Sequence, residues 1–151
     1  MKTKWFSKLF LAYSISVAMM FASLTAQAQE EKVFAEKKVV LQISDSDPFK
    51  QTLVLNVANN LIKHYGPDKV EVEIVAFGPG LRLLFDENDN KDRIQGLSTN
   101  GVRFAACNNT LTAMTKQLGE KPQLNSNAKV VDAGVVRVID LTSEGYTLVK
   151  P

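Results

Sequence analysis

The chain has one cysteine and one histidine among its 151 residues. One cysteine cannot make a disulfide within the chain, so the fold has to rest on its packed core. The sole histidine, His64, falls where a helix ends and reads as a helix-end residue, so no Ser-His-Asp candidate is apparent, and one imidazole makes no pair for a metal. Lys and Arg do not cluster, which removes the footprint expected of a nucleic-acid binder. No stretch reaches the roughly 20 uninterrupted apolar residues of a spanning helix, and no internal repeat or low-complexity segment appears.

What stands at the start is an address. Lys2, Lys4 and Lys8 make a basic beginning, an apolar stretch from Leu9 to about Ala22 is interrupted by Ser14 and Ser16, and Ala26-Gln27-Ala28 is the small-x-small pattern a signal peptidase reads. Residues 1–28 are therefore expected to be a secretory signal cut after Ala28, giving a periplasmic or secreted protein with no membrane segment after cleavage. Three of the 18 Lys and Arg leave with it, and 15 remain against 16 Asp and Glu, so the mature chain is near neutral. Residues 29–37 are polar and read as a flexible arm. The rest fits one domain, large enough to bury a core without staples.

Lys38 to Ser44 is a continuous β-branched run, the pattern of a strand covered on both faces of a parallel sheet. Asp47 and Pro48 are an N-cap and first-turn proline for a helix to about His64. Phe49, Leu53, Val57 and Leu61 share one row of it, and Val54, Ala58 and Ile62 the next. Gly66-Pro67 stops it. Lys69 to Phe77 alternates before becoming solidly apolar, as in a strand that starts with one face wet and ends buried. Gly78-Pro79-Gly80 closes it and a short helix starts near Leu81. Glycines between strand and helix can let backbone N–H groups approach an anion, although a tight turn with no ligand is the stronger reading.

Asp86 to Asp92 offers oxygen ligands at Asp86, Asn88 and Asn90, but Lys91 and Leu97 stand where a calcium loop needs glycine and glutamate. It reads as a solvated loop, so no metal site is assigned. Asp92 to Leu97 suits a further short helix. Val102 to Ala106 has the length and apolarity of a buried strand. Asn108, Asn109 and Thr110 are types that open helices by offering side-chain oxygens to free N–H groups, ahead of a helix ending at Gly119. Val130-Val131 is a weak strand. Gly134 to Leu141 suits a strand by propensity and a helix by length, and Gly145 to Pro151 is a last strand.

This alternation predicts an α/β fold with a mostly parallel five-stranded sheet between helix layers. Reactive groups in such sheets gather beyond the carboxyl ends of the strands. Here those ends offer Ser44 and Asp45, Gly78 and Gly80, and Cys107 with Asn108, Asn109 and Thr110. Cys107 sits where a strand hands over to a helix, a place that favours a thiolate. An unpaired cysteine in an exported chain is an inert apolar residue, an intermolecular link or a reactive thiol.

The runs Phe77 to Leu81, Gly101-Val-Arg-Phe-Ala-Ala-Cys107-Asn-Asn-Thr-Leu111, Val130 to Ile139 and Gly145 to Pro151 resemble the DsrE/DsrF-like family, closest to its small exported members. The resemblance spans essentially all of the mature chain and makes residues 38–151 a DsrE-like domain. It implies a three-layer α/β/α sandwich, assembly into homotrimers or hexamers, and a helix over Gly134 to about Leu141. In the sulfur-relay members DsrE and TusD a cysteine at the end of the third strand carries a persulfide, and Cys107 falls at that position. The carry-over reaches that one residue, because Asn108 and Asn109 are not a shared catalytic signature.

Two functions follow as expectations. In the first, Cys107 takes sulfur from a donor and yields it to a thiol- or persulfide-bearing protein partner, with no cofactor, as a sulfur carrier or sulfurtransferase-like protein at most. In the second, the protein is a non-catalytic oligomeric binding module in which Cys107 is structural.

Overall fold

The computed structural model describes Lys32 and residues 35–151. The expected signal, residues 1–28, and most of the arm lie outside the described residues. The elements are β1 (Lys37–Ile43), α1 (Pro48–Tyr65), β2 (Val70–Ala76), a 3-10 segment (Gly78–Leu84), α2 (Lys91–Thr99), β3 (Arg103–Cys107), α3 (Asn108–Leu118), β4 (Ala128–Val131), α4 (Gly134–Ser143) and β5 (Thr147–Val149).

The five strands form one sheet in the order β4-β3-β2-β1-β5, with every pairing parallel. The architecture is α/β with helices on both faces of the sheet. The segment left between strand and helix, Gly134 to Leu141, is helical. It crosses the sheet from β4 on one edge to β5 on the other, and a crossover between parallel strands is the work of a helix.

The two faces are unequally dressed. On one, Val39, Leu41, Val72, Ile74 and Phe104 pack against α1, α2, α3 and the 3-10 segment in the larger core. On the other, Val40, Val75 and Ala105 meet Val138 and Leu141 of α4, with Tyr146 completing a small cluster. One helix therefore covers most of that face.

The caps of α1 explain its bounds. The Asp47 carboxylate accepts from the Phe49 N–H at 2.8 Å, Pro48 opens the first turn, and Gly66, at φ 90°, donates its N–H to the Ile62 carbonyl. The core row of α1 is Val54, Ala58 and Ile62, with Leu55 beside it, whereas Phe49 is 74% exposed. The wide apolar arc expected of this helix is thus only partly buried in the single chain.

Two expectations change. The short helix after Phe77 is a 3-10 segment that begins at Gly78. The early half of β2 is not wet on one face, because Glu71 and Glu73 are 0% and 2% exposed. Both carboxylates are buried beneath α4 and the start of β5, where Arg103, Arg137 and Tyr146 meet them. Asn88 of the acidic loop donates to Gln51 Oε1 and to the Arg82 carbonyl, both at 3.0 Å, and so ties the loop to α1. No group of three or more His, Cys, Asp or Glu among the described residues could hold a metal ion. No helix among them is long and apolar enough to cross a membrane.

Candidate functional site around Cys107

Cys107 is the last residue of β3 and stands immediately before the first turn of α3. Side chains alternate along a strand, which puts Arg103, Ala105 and Cys107 on the face that α4 covers. Its partner on β4 is Val131. After two connecting residues, Asp132 and Ala133, α4 begins at Gly134 directly over the cysteine. A β-carbon on Gly134 would stand 2.9 Å from Phe77 Cβ and 3.2 Å from Cys107 Cβ. Only a residue without one lets the helix start so close.

The starts of α3 and α4 therefore converge on one sulfur. Burial pushes the thiol up, but the Thr110 hydroxyl and the N–H groups of Gly134, Thr110 and Asn109 pull it down, and the net direction is below the ordinary cysteine value. Free N–H groups and the positive ends of two helix dipoles favour the thiolate. Thr110 is placed for this by a second bond, since its Oγ1 accepts the Gly78 N–H at 2.9 Å and its own proton remains for the sulfur. Asn109 is steadied by its N–H to the Asp132 carbonyl at 3.3 Å. The sulfur itself is well covered, with Cys107 5% exposed.

Most of the residues named from sequence meet here, though in changed roles. Gly78 has φ 52° and touches the thiol environment through Thr110. Gly80 presses on β1, where a β-carbon would stand 2.5 Å from the Ile43 carbonyl oxygen and 2.8 Å from Ser44 Cα. Gly80 is thus there for close packing and Gly78 for its left-handed backbone, where a β-carbon would meet nothing nearer than the Ser44 carbonyl oxygen at 3.7 Å. Ser44 lies beside them and accepts from Gln42 Nε2 at 3.3 Å. Asp45 is not part of the group, because its carboxylate turns to the Asp47 N–H and to Lys50 Nζ at 2.6 Å, at the exposed start of α1.

Asn108 and Asn109 do not cap α3. The capping position is Cys107 itself, no side chain bonds the free N–H groups there, and both asparagines lie exposed in the first turn. The Thr110 N–H is thereby left to the sulfur, while that of Asn109 is shared between the sulfur and the Asp132 carbonyl. His64 is in the last turn of α1, edge-on to Tyr65 at 4.6 Å, and takes no part.

Sequence reasoning missed Gly134 and the buried ion cluster below it. Glu73 pairs with Arg137 through two bonds, Nε to Oε1 at 2.7 Å and Nη2 to Oε2 at 2.8 Å. Arg103 gives Nε to Glu73 at 2.9 Å, Nη1 to Glu71 at 3.2 Å and Nη2 to the Tyr146 hydroxyl at 2.6 Å. The Tyr146 hydroxyl in turn donates to Glu71. Among the described residues no buried side-chain nitrogen or oxygen lacks a partner. Two carboxylates facing two guanidiniums, all bonded, make a structural lock rather than an open site. An alternation of Glu with Val in one strand and an Arg opening the next was the available signal.

An open cleft of about 610 Å³ lies elsewhere, lined by Arg82, Phe85, Lys91, Leu118 and Lys121, and shares no residue with the thiol environment.

No protein-family model and no curated protein matches the chain. Among solved structures, a protein of unknown function, MTH1491 from Methanobacterium thermoautotrophicum, is similar at 28% identity and a TM-score of 0.69, over 77% of this chain and 100% of that one. A conserved protein of unknown function, BT1422 from Bacteroides thetaiotaomicron, aligns over 79% of this chain and 98% of its own at 12% identity and a TM-score of 0.48, too distant to argue from.

Proposed function

We propose that the protein is an exported DsrE/DsrF-like sulfur carrier in which Cys107 accepts a sulfur atom and passes it on. The observation that carries this reading is the convergence of two helix starts on Cys107, which holds a covered thiol below its ordinary pKa. Inert buried cysteines have theirs raised.

The chemistry needs one thiol. The Cys107 thiolate attacks the outer sulfur of a donor R–S–SH, the donor's S–S bond breaks, R–S⁻ leaves, and Cys107–S–SH remains. An acceptor thiolate then attacks that terminal sulfur and releases the Cys107 thiolate. Sulfur moves with no net change of oxidation state, so no cofactor is required. The N–H groups of Gly134, Thr110 and Asn109 stabilise the anion at the start and the end of each transfer.

Assembly of several copies, as a trimer or hexamer, is part of the proposal. Val135, Val136 and Ile139 form an exposed apolar stripe on the outer side of α4, and a helix apolar on both sides is one that expects a neighbour.

The 5% exposure of Cys107 favours a second reading, an oligomeric binding module in which the cysteine is only packing. A thiol-reactive dye separates the two. Under the carrier reading the folded protein labels at Cys107 at neutral pH and takes sulfur from inorganic polysulfide. Under the other it labels only after unfolding and takes none.

A further inference from the structure

The buried pair Glu73–Arg137 lies one helical turn from the thiol environment, and its geometry has a consequence for it. Arg137 is three residues beyond Gly134, about 4.5 Å along α4, and its own N–H closes the first turn onto the Ala133 carbonyl at 3.0 Å. Its guanidinium grips Glu73 through two parallel bonds at 2.7 and 2.8 Å. A planar fork on a carboxylate fixes direction as well as distance. The other anchorage of α4 on this face is apolar packing, Val138 and Leu141 on Val40, Val75 and Ala105 and Gly134 against Phe77 and Cys107, which is not directional. The carboxylate is itself immobilised, 2% exposed and bonded by Arg103 from the neighbouring strand.

We propose that Arg137, clamped by Glu73, is a positioning residue for Cys107: the two-bond grip sets the axial position and rotation of the first turn of α4, and so keeps the Gly134 N–H on the sulfur. The inference rests on Cys107 working as a thiolate. Glu73 itself is too distant to act by its field. It pairs in register with Arg103, four residues before Cys107, which is ~13 Å along the strand, and its charge is matched where it stands by the Arg103 and Arg137 guanidiniums. Besides Arg103 and Glu71 of the cluster, the other charged side chains on the surrounding elements are Lys129 in β4, Asp132 at the β4–α4 junction, Asp140 in α4, Arg82 in the 3-10 segment and Lys116 in α3. None of them is altered in the test.

The test is the pH profile of iodoacetamide labelling of Cys107 in the folded protein, for wild type, Glu73→Gln and Arg137→Lys. The midpoint is read because the plateau also reports access. Arg137→Lys keeps the charge and loses the fork. The expected result is a midpoint raised in both variants by about half a pH unit or more, so that the thiolate fraction at pH 7 falls about threefold. A field effect has a different pattern: loss of the Glu73 charge lowers the midpoint and Arg137→Lys leaves it alone. Either that pattern or two unmoved midpoints overturns the proposal. Should Glu73→Gln fail to fold, Arg137→Lys decides alone. Sulfur uptake by wild type is measured separately, and its absence overturns the carrier reading without moving these midpoints.

Discussion

Gly134 and Cys107, separated in sequence by α3, β4 and their connections, touch: a β-carbon on the glycine would stand 3.2 Å from that of the cysteine. The start of one helix is thereby laid over a thiol that already sits at the start of another. Each neighbour of the cysteine is there for a local reason, the N–H groups because first turns leave them unpaired and Thr110 because Gly78 holds it.

Replacing Gly134 by alanine tests this contact. The added methyl meets Phe77 at 2.9 Å as well as Cys107, so α4 has to lift. A loss of about 1–3 kcal/mol is expected, even though alanine is intrinsically the better helix former by up to about 1 kcal/mol. The labelling midpoint of Cys107 is expected to rise at the same time. Urea unfolding and the labelling profile check both, and a variant as stable as wild type contradicts the contact.

The buried cluster predicts an alkaline limb of stability. Burial, and then the Glu71 carboxylate, hold the Tyr146 hydroxyl protonated, pushed up to about 12 from an ordinary value of 10.0. A pKa raised on folding stabilises the protein fully below the unfolded value and loses that contribution as pH rises through the folded one. Stability is therefore expected to fall between about pH 10 and pH 12, and Tyr146→Phe to flatten that fall. The same variant leaves Glu71 and Arg103 one hydrogen bond short, at a cost of about 1–3 kcal/mol at neutral pH. Unfolding free energy measured across pH in both proteins is the check.

At the acid end the sign reverses. Burial pushes the Glu71 carboxyl up, but the Tyr146 hydroxyl and the Arg103 guanidinium outweigh it, and the group lies below its ordinary value of 4.5. A lowered pKa stabilises the fold above the unfolded value and loses that contribution as pH falls through the folded one. Glu71→Gln is expected to be less stable at pH 7 by about 3 kcal/mol and to show a shallower loss below about pH 4.5. Equal acid limbs in the two proteins refute the assignment.

The exposed stripe of α4 predicts association. Val135→Asp combined with Ile139→Asp places charge on the outer side of the helix without touching Val138 or Leu141, which face the sheet. Light scattering is expected to show a multimer for wild type and a monomer for the double variant. A monomeric wild type ends the oligomer proposal.

The fold was legible in the sequence because its signals are local. Asp47-Pro48 and Gly66-Pro67 bound α1 as their chemistry dictates, and the β-branched run from Lys38 marks a strand buried on both faces. The site was half legible. Strand-to-helix handover placed Cys107, yet Asn108 and Asn109, cap formers by type, lie exposed inside the first turn of α3. The contribution of Gly134 could not be read, because it depends on where a later crossover lands. Glu71 and Glu73 misled for the same reason: a glutamate alternating with valine reads as a wet face unless the arginines that neutralise it, one on β3 and one on α4, are known to arrive there.

The most direct measurement of the central claim is the intact mass of the protein after incubation with inorganic polysulfide and removal of the excess. The carrier reading predicts one added sulfur, about 32 Da, on wild type, none on Cys107→Ser, and its removal by a small thiol that leaves with the sulfur. A wild-type mass no different from that of treated Cys107→Ser, once the substitution itself is allowed for, contradicts it.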